Sequence, residues 1–309
     1  MVVEKYFHIL TLQKNNTVII SDKRNSSLAK KITLDLDAQY RNAELRVFAD
    51  GESKIRLDNV AKRNCIIVHS TYPPTDQHLM QLFMIIYKCR GDGANDICVV
   101  SPYLAYTRQD KVFVDGEIVT INLVGRILES LGTTKLITID SHSPNSLNYS
   151  FKTVDLTAIP SLASYVKKNI TLNNPIVISP DEGGIERARK FAGIIDVNML
   201  SLVKTRDRFT GDISISLSEQ QPLKKRDALI VDDMISTGNS IIKATEILKK
   251  NNIGDVFVIC THALLLDDAK EKLFKAGVKE VISTNSIPND FAKVDLGSLI
   301  SNYFLDHDP

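Results

Sequence analysis

The chain lacks an excess of charge of either sign: 38 Lys and Arg stand against 37 Asp and Glu among 309 residues, leaving a net charge of +1. A global field that would draw it to nucleic acid or an anionic membrane is excluded, whereas a local anion site is not. Long apolar runs are missing too; the longest, such as residues 82–87, fall far short of the roughly 20 residues a membrane helix needs. The N-terminus reaches Glu4 and Lys5 before any apolar run develops, which is not the pattern of a signal peptide. Only four cysteines are present, with no CxxC pair and no Cys/His group at zinc spacing. Cys65, Cys98 and Cys260 lie in or beside strand-like runs and Cys89 near the end of a helix-like one, so buried reduced thiols and a cytoplasmic location are expected. No GxxxxGK[ST] loop exists, which excludes a P-loop kinase, and Gly91-Asp-Gly93 follows a helix and precedes a strand, the reverse of a dinucleotide loop.

What is present is a globular composition, 43% apolar and 24% charged, over a length of about two domains at roughly 150 residues each. Short β-rich runs alternate with amphipathic helices. Strands are expected at 65–68, 97–100, 135–140, 176–179, 228–231 and 256–260. Helices are expected at 77–90, 119–131, 185–192, 240–250 and 267–276, with Gly132, Gly193 and Gly277 as C-terminal stops. This alternation predicts an α/β protein of mostly parallel sheets flanked by helices. A faint repeat, Leu136-Ile-Thr-Ile-Asp-Ser-His142 against Val256-Phe-Val-Ile-Cys-Thr-His262, suggests two related halves meeting near residue 155.

Ligands of open parallel sheets sit beyond the carboxyl ends of the strands. That rule selects Arg108-Gln109, His142, Asp181 and Asp232-Asp233 with the turn after them. The strongest signal is Val231-Asp-Asp-Met-Ile-Ser-Thr-Gly-Asn-Ser240: an apolar strand, two acids, a small polar turn and a helix start. Backbone N–H groups and hydroxyls at such a turn can hold a phosphate, and the acids can accept hydrogen bonds from sugar hydroxyls. Read alone, the same turn is also a capped helix start.

That segment resembles the phosphoribosyl-binding motif of type I phosphoribosyltransferases and of the ribose-phosphate diphosphokinase family. Phe48-Ala-Asp-Gly-Glu52, Pro102-Tyr-Leu-Ala-Tyr-Thr-Arg-Gln-Asp110 and Ser179-Pro-Asp-Glu-Gly-Gly184 resemble segments of the latter, in the same order. The resemblance implies two tandem type I phosphoribosyltransferase-like domains: an ATP side at 1–155, joined by a C-terminal helix at 297–309, and a ribose 5-phosphate side at 156–296. It also implies Mg²⁺ as cofactor, a role in nucleotide biosynthesis, and a homo-oligomer in which the Phe48 loop reaches a neighbour's ATP site.

By resemblance, Phe48, Asp50, Glu52, Arg108 and Gln109 bind ATP. Asp232, Asp233, Ser236, Thr237, Gly238, Asn239 and Ser240 bind ribose 5-phosphate, and His142 and Asp181 are magnesium-associated. Lys204 and Arg206, two apart before a polar stretch at 207–218 that reads as a flap, are by themselves a solvated basic stretch, and the resemblance implies that they are catalytic. Ser236 stands where many members carry a third acid. A phosphoribosyltransferase would not require the Phe48 loop or the Arg108-Gln109 segment, and a silent regulatory subunit should have lost His142, Lys204 or Arg206.

Overall fold

In the computed structural model, residues 16–206, 213–217 and 222–307 are described. They divide into two compact units. The first takes in the described residues up to Leu156, with Ser286–Pro288 and the residues from Asp295 onward. The second takes in Thr157–Asn285 and Asn289–Val294.

The first unit is built on six parallel strands. They are β1 (Thr17–Ser21), β2 (Gln39–Asn42), β5 (Asn64–Val68), β6 (Asp96–Val100), β7 (Lys135–Ile139) and β8 (Lys152–Leu156), in the order β2-β1-β5-β6-β7-β8. β1, β5, β6 and β7 each bury four consecutive residues, the mark of a strand covered on both faces. The unit's helices are α1 (Ser26–Asp35), α2 (Thr75–Gly91), α3 (Thr120–Ser130) and, returning from the end of the chain, α8 (Gly297–His307). α2 sinks Leu79, Leu82 and Ile86 into the core with Phe83 partly buried beside them, and α3 contributes Ile121, Val124 and Leu128. Gly132 follows α3 at φ +91°, a left-handed turn that glycine enters without a Cβ penalty. α8 rests on α1, where a Cβ on Gly297 would come within 2.3 Å of Lys31 Cγ. A small antiparallel hairpin, β3 (Glu44–Val47) and β4 (Ser53–Arg56), projects from this unit.

The second unit has seven strands: β9 (Ile176–Ser179), β10 (Met199–Arg206), β11 (Ile213–Leu217), β12 (Ala228–Ile235), β13 (Val256–Ala263), β14 (Glu280–Thr284) and β15 (Ala292–Val294). Their order is β11-β10-β9-β12-β13-β14-β15, and only β11 pairs antiparallel. Helices α4 (Ile159–Asn169), α5 (Ile185–Ile195), α6 (Asn239–Lys250) and α7 (Ala269–Ala276) cover it. Ile176, Ile178, Ile230, Val258 and Cys260 share one cluster with Ile241, Ala244 and Leu248 of α6 and Leu273 of α7. The alternate residues of the same strands, such as Val177 and Leu229, are left for the opposite face.

Two expectations change. β12 does not stop at Val231: its ladder with β13 continues through Asp232↔Cys260 and Ile235↔Ala263, so the two acids lie within the strand. α5 does not end at Gly193 but runs to Ile195, because Asp196 takes the left-handed closing position at φ 60°, ψ 55°. Aspartate tolerates that conformation better than most residues. None of the four cysteines is in a disulfide, and all are buried. Among the described residues, no helix is long and apolar enough to cross a membrane.

Candidate functional site

In the second unit the strand order reverses at β9, with β10 on one side and β12 on the other. That switch point is where an open parallel sheet leaves a crevice at its carboxyl edge. The chain leaving β9 makes a tight turn: Ser179 Oγ donates to the Asp181 carbonyl at 2.7 Å, and Gly184 N–H donates to Asp181 Oδ1 at 3.0 Å. α5 starts directly after it and carries Arg187 in its first turn.

On the neighbouring β12, Asp233 N–H donates to Asp232 Oδ1 and Met234 N–H to Asp233 Oδ1, both at 2.9 Å. Those bonds fold the carboxylates back along the strand, so residues that alternation would send to opposite faces meet. Arg187 spans them, Nη1 standing 3.5 Å from Asp232 Oδ1 and Nη2 3.5 Å from Asp233 Oδ2. Burial first, and then the charge of Asp233, push the Asp232 carboxyl well above the usual range, while Arg187 pulls it down.

β12 then passes through Ser236-Thr237-Gly238 into α6. Leu265 N–H donates to the Ile235 carbonyl at 2.9 Å and Leu266 N–H to the Ser236 carbonyl at 3.0 Å, which pins the turn. Gly238 sits at φ +74°, and no side chain caps the helix. Thr237, Asn239 and Ser240 are exposed at this end, beside the first-turn N–H groups that an α-helix leaves without intrahelical partners. The arrangement can take an anion at the helix start and hydroxyl donors at the acids. Asp181, Asp232, Asp233 and residues 236–240 thus share one edge of one unit.

Lys204 and Arg206 lie on β10, their backbones in register with Ile215 and Ile213 of β11. Of the flap expected at 207–218, residues 207–212 and 218 lie outside the described residues, and 213–217 form β11.

In the first unit, residues 48–52 form the tip of the β3–β4 hairpin. Phe48 N–H donates to the Glu52 carbonyl at 2.8 Å, Gly51 N–H to the Phe48 carbonyl at 3.0 Å, and Glu52 N–H to Asp50 Oδ1 at 3.0 Å. The Phe48 ring is exposed, with the Arg46 guanidinium 5.1 Å from its centroid. Arg108 and Gln109 line a cavity of about 630 Å³ together with Thr75, Asp76 and Tyr106, whose hydroxyl donates to the Asp76 carboxylate. A hydrogen bond from Ser143 holds the Asp110 carboxyl below its ordinary range, with smaller contributions from Lys111 and His142. His142, exposed in the loop after β7, therefore stands in electrostatic reach of the segment that carries Arg108 and Gln109.

The structure adds a buried group that sequence reasoning did not single out. Asp22, at the end of β1, accepts hydrogen bonds from Asn25 and from Arg24, and Arg24 also donates to Gln81 Oε1 at 2.8 Å. His69, at the end of β5, places Nε2 2.9 Å from the His78 carbonyl. Its Nδ1 stands 4.0 Å from Asp22 Oδ2 with no hydrogen-bond partner among the described residues. Burial lowers the His69 pKa to about 4, with Asp22 opposing the shift and Arg24 adding to it. Arg187 was likewise missed, although its place five residues after Glu182 in an acid-rich turn was a readable signal.

The N-terminal domain of ribose phosphate pyrophosphokinase matches residues 17–132, and the phosphoribosyl synthetase-associated domain matches residues 221–300. A ribose-phosphate pyrophosphokinase of Sulfurisphaera tokodaii is 35% identical over 279 residues, covering 90% of this chain and 95% of the relative. One of Saccharolobus solfataricus is 34% identical, covering 92% and 99%. Among solved structures, the phosphoribosylpyrophosphate synthetase of Mycobacterium smegmatis superposes with a TM-score of 0.83 at 25% identity, over 95% of this chain and 100% of that one.

Proposed function

The chain belongs to the ribose-phosphate pyrophosphokinase family, and on that premise we propose that it transfers the β,γ-diphosphoryl group of MgATP to the 1-hydroxyl of ribose 5-phosphate. The products are 5-phosphoribosyl 1-pyrophosphate and AMP. The observation that carries this reading is the continuous path from the Asp232–Asp233 pair through the Gly238 turn into the uncapped start of α6. Sugar hydroxyls donate to the two carboxylates, and the 5-phosphate takes the N–H groups and hydroxyls of residues 236–240. In the first unit, Arg108 binds ATP phosphates as a planar fork and Gln109 the base, while Phe48, Asp50 and Glu52 present an aromatic face and acceptors to adenine.

Magnesium, when bound with the nucleotide, supplies charge neutralisation at the phosphates. His142 in the first unit and Asp181 in the second are, each within its own unit, the residues that would meet a magnesium ion. Asp181 offers a carboxylate oxygen beyond the one Gly184 engages. Among the described residues no three acid, histidine or cysteine side chains cluster to hold a metal, which suits a cation held mostly by phosphate oxygens and water. Lys204 and Arg206 neutralise charge that builds on the transferred group. We place the enzyme in the cytoplasm as a homo-oligomer in which the Phe48 loop of one subunit serves its neighbour.

The test is a product assay with purified protein, Mg²⁺, ATP and ribose 5-phosphate. AMP formed one-for-one with 5-phosphoribosyl 1-pyrophosphate, and only with the sugar phosphate present, is the expected result. ADP as the nucleotide product would overturn the reading.

A further inference from the structure

We propose that Arg187 is a positioning residue for the sugar, its guanidinium holding the Asp232 and Asp233 carboxylates as a paired acceptor for the ribose hydroxyls. The inference rests on the ribose 5-phosphate reading above and names a residue which that reading does not require.

The geometry begins with the acids. Each already accepts the next residue's amide at 2.9 Å, which fixes its orientation along the strand. Two ionised carboxylates that face one cation from adjacent residues repel, and one would otherwise retain a proton. A protonated carboxyl presents a donor where a sugar hydroxyl needs an acceptor. Arg187 supplies a cation to both at once, 3.5 Å from an oxygen of each. Arg187, Asp232 and Asp233 are all largely shielded from solvent, with side chains 18%, 14% and 5% exposed, so the interaction is little screened.

The turn that leads to the arginine is itself built. A Cβ on Gly184 would fall 2.8 Å from Ser179 Oγ and 3.6 Å from Arg187 Nη1. The absent Cβ leaves room for the Ser179 hydroxyl, and the guanidinium passes at ordinary contact distance on its way to β12. The same turn orients Asp181 through the Gly184 amide, so one tight loop sets both the arginine and the third acid.

A lysine could restore the charge but not the fork that serves two carboxylates. The experiment compares the unsubstituted protein with Arg187→Met, Arg187→Lys and the double variant Arg187→Met/Asp233→Asn. Steady-state kinetics are read with each substrate varied, ribose 5-phosphate binding by calorimetry, and the melting temperature alongside.

Arg187→Met should raise KM for ribose 5-phosphate about 10- to 100-fold, the loss expected for a charged hydrogen-bond partner. KM for ATP and kcat should stay within about threefold. Arg187→Lys should recover part of the loss. In the double variant the loss of Asp233 as an acceptor should add little to the loss already seen in Arg187→Met, because both changes break the same paired acceptor. Unchanged sugar KM in Arg187→Lys and Arg187→Met, with only a lower melting temperature, would overturn the proposal and leave a structural counter-ion. Equal rises in KM for both substrates would overturn it as well. If the unsubstituted protein itself fails to bind ribose 5-phosphate, the underlying reading falls and the proposal with it, an outcome the calorimetry separates from the others.

Discussion

Asp232 carries opposing demands: burial and a neighbouring acid favour its neutral form, and the proposed sugar recognition requires the charged one. Asp232→Ala should therefore raise KM for ribose 5-phosphate about 10- to 100-fold and leave KM for ATP unchanged, as steady-state kinetics would report. Lys204→Ala should lower kcat about 10²- to 10³-fold with sugar binding preserved, the cost of removing one donor that stabilises the transition state. His69 makes a different prediction, about stability. Its folded pKa of about 4 lies below the unfolded value near 6.5, so between those limits the unfolded chain binds the extra proton. Stability should fall as pH drops through that window, by about 3 kcal/mol at most, and His69→Gln should flatten the dependence in denaturant titrations. Asp22, whose carboxyl is lowered, loses its contribution further down, below its unfolded value of 3.8. The acids and the Gly238 turn were legible because their chemistry is contiguous in the chain. Arg187 meets an acid 45 residues away, and Asp22 meets His69 only across two strands; neither pairing leaves a local pattern.

The strands and helices explain where each group can stand. In both units the central reversal of strand order lies between neighbouring strands, β1 and β5 in one, β9 and β12 in the other. In the first, buried Asp22 and His69 fill that position; in the second, Asp181, Asp232 and the turn into α6 line it. The two sheets share a strand order, but it does not pair the runs at Leu136 and Val256: counted from the reversal, β13 corresponds to β6 and β7 to β14, so that repeat is not an architectural one. β13 runs through His262, which is buried, whereas β7 ends at Ile139 and leaves His142 exposed. Gly184→Ala should push the Ser179 hydroxyl off the Asp181 carbonyl and loosen the turn before α5, so sugar affinity should fall while the ATP constants hold. Calorimetry with ribose 5-phosphate and with an ATP analogue would check both. The buried apolar runs of β5, β6, β7, β9, β12 and β13 were legible as strands, whereas β1 and β14 bury four consecutive residues each and were not expected. β2, β3 and β4 bury no residue and gave no such signal, and the β12 boundary moved because backbone pairing carried two acids into the strand.

The molecule is two α/β units, with the last helix of the chain assigned to the first. The repeated alternation of strand and helix made that class readable, but chain return at Ser286–Pro288 and Asp295 onward is a tertiary event with no periodic signature. If subunits share ATP sites, light scattering should give at least twice the monomer mass, and Phe48→Ala should raise KM for ATP several-fold with the sugar constants unaffected. The central claim is that the two terminal phosphoryl groups of ATP move as one unit. It is tested most directly by following [β-³²P]ATP and [γ-³²P]ATP in parallel reactions with ribose 5-phosphate. Both labels should appear in the sugar product in equal yield, with none in ADP. Transfer of the γ label alone, with the β label left in ADP, would contradict the account.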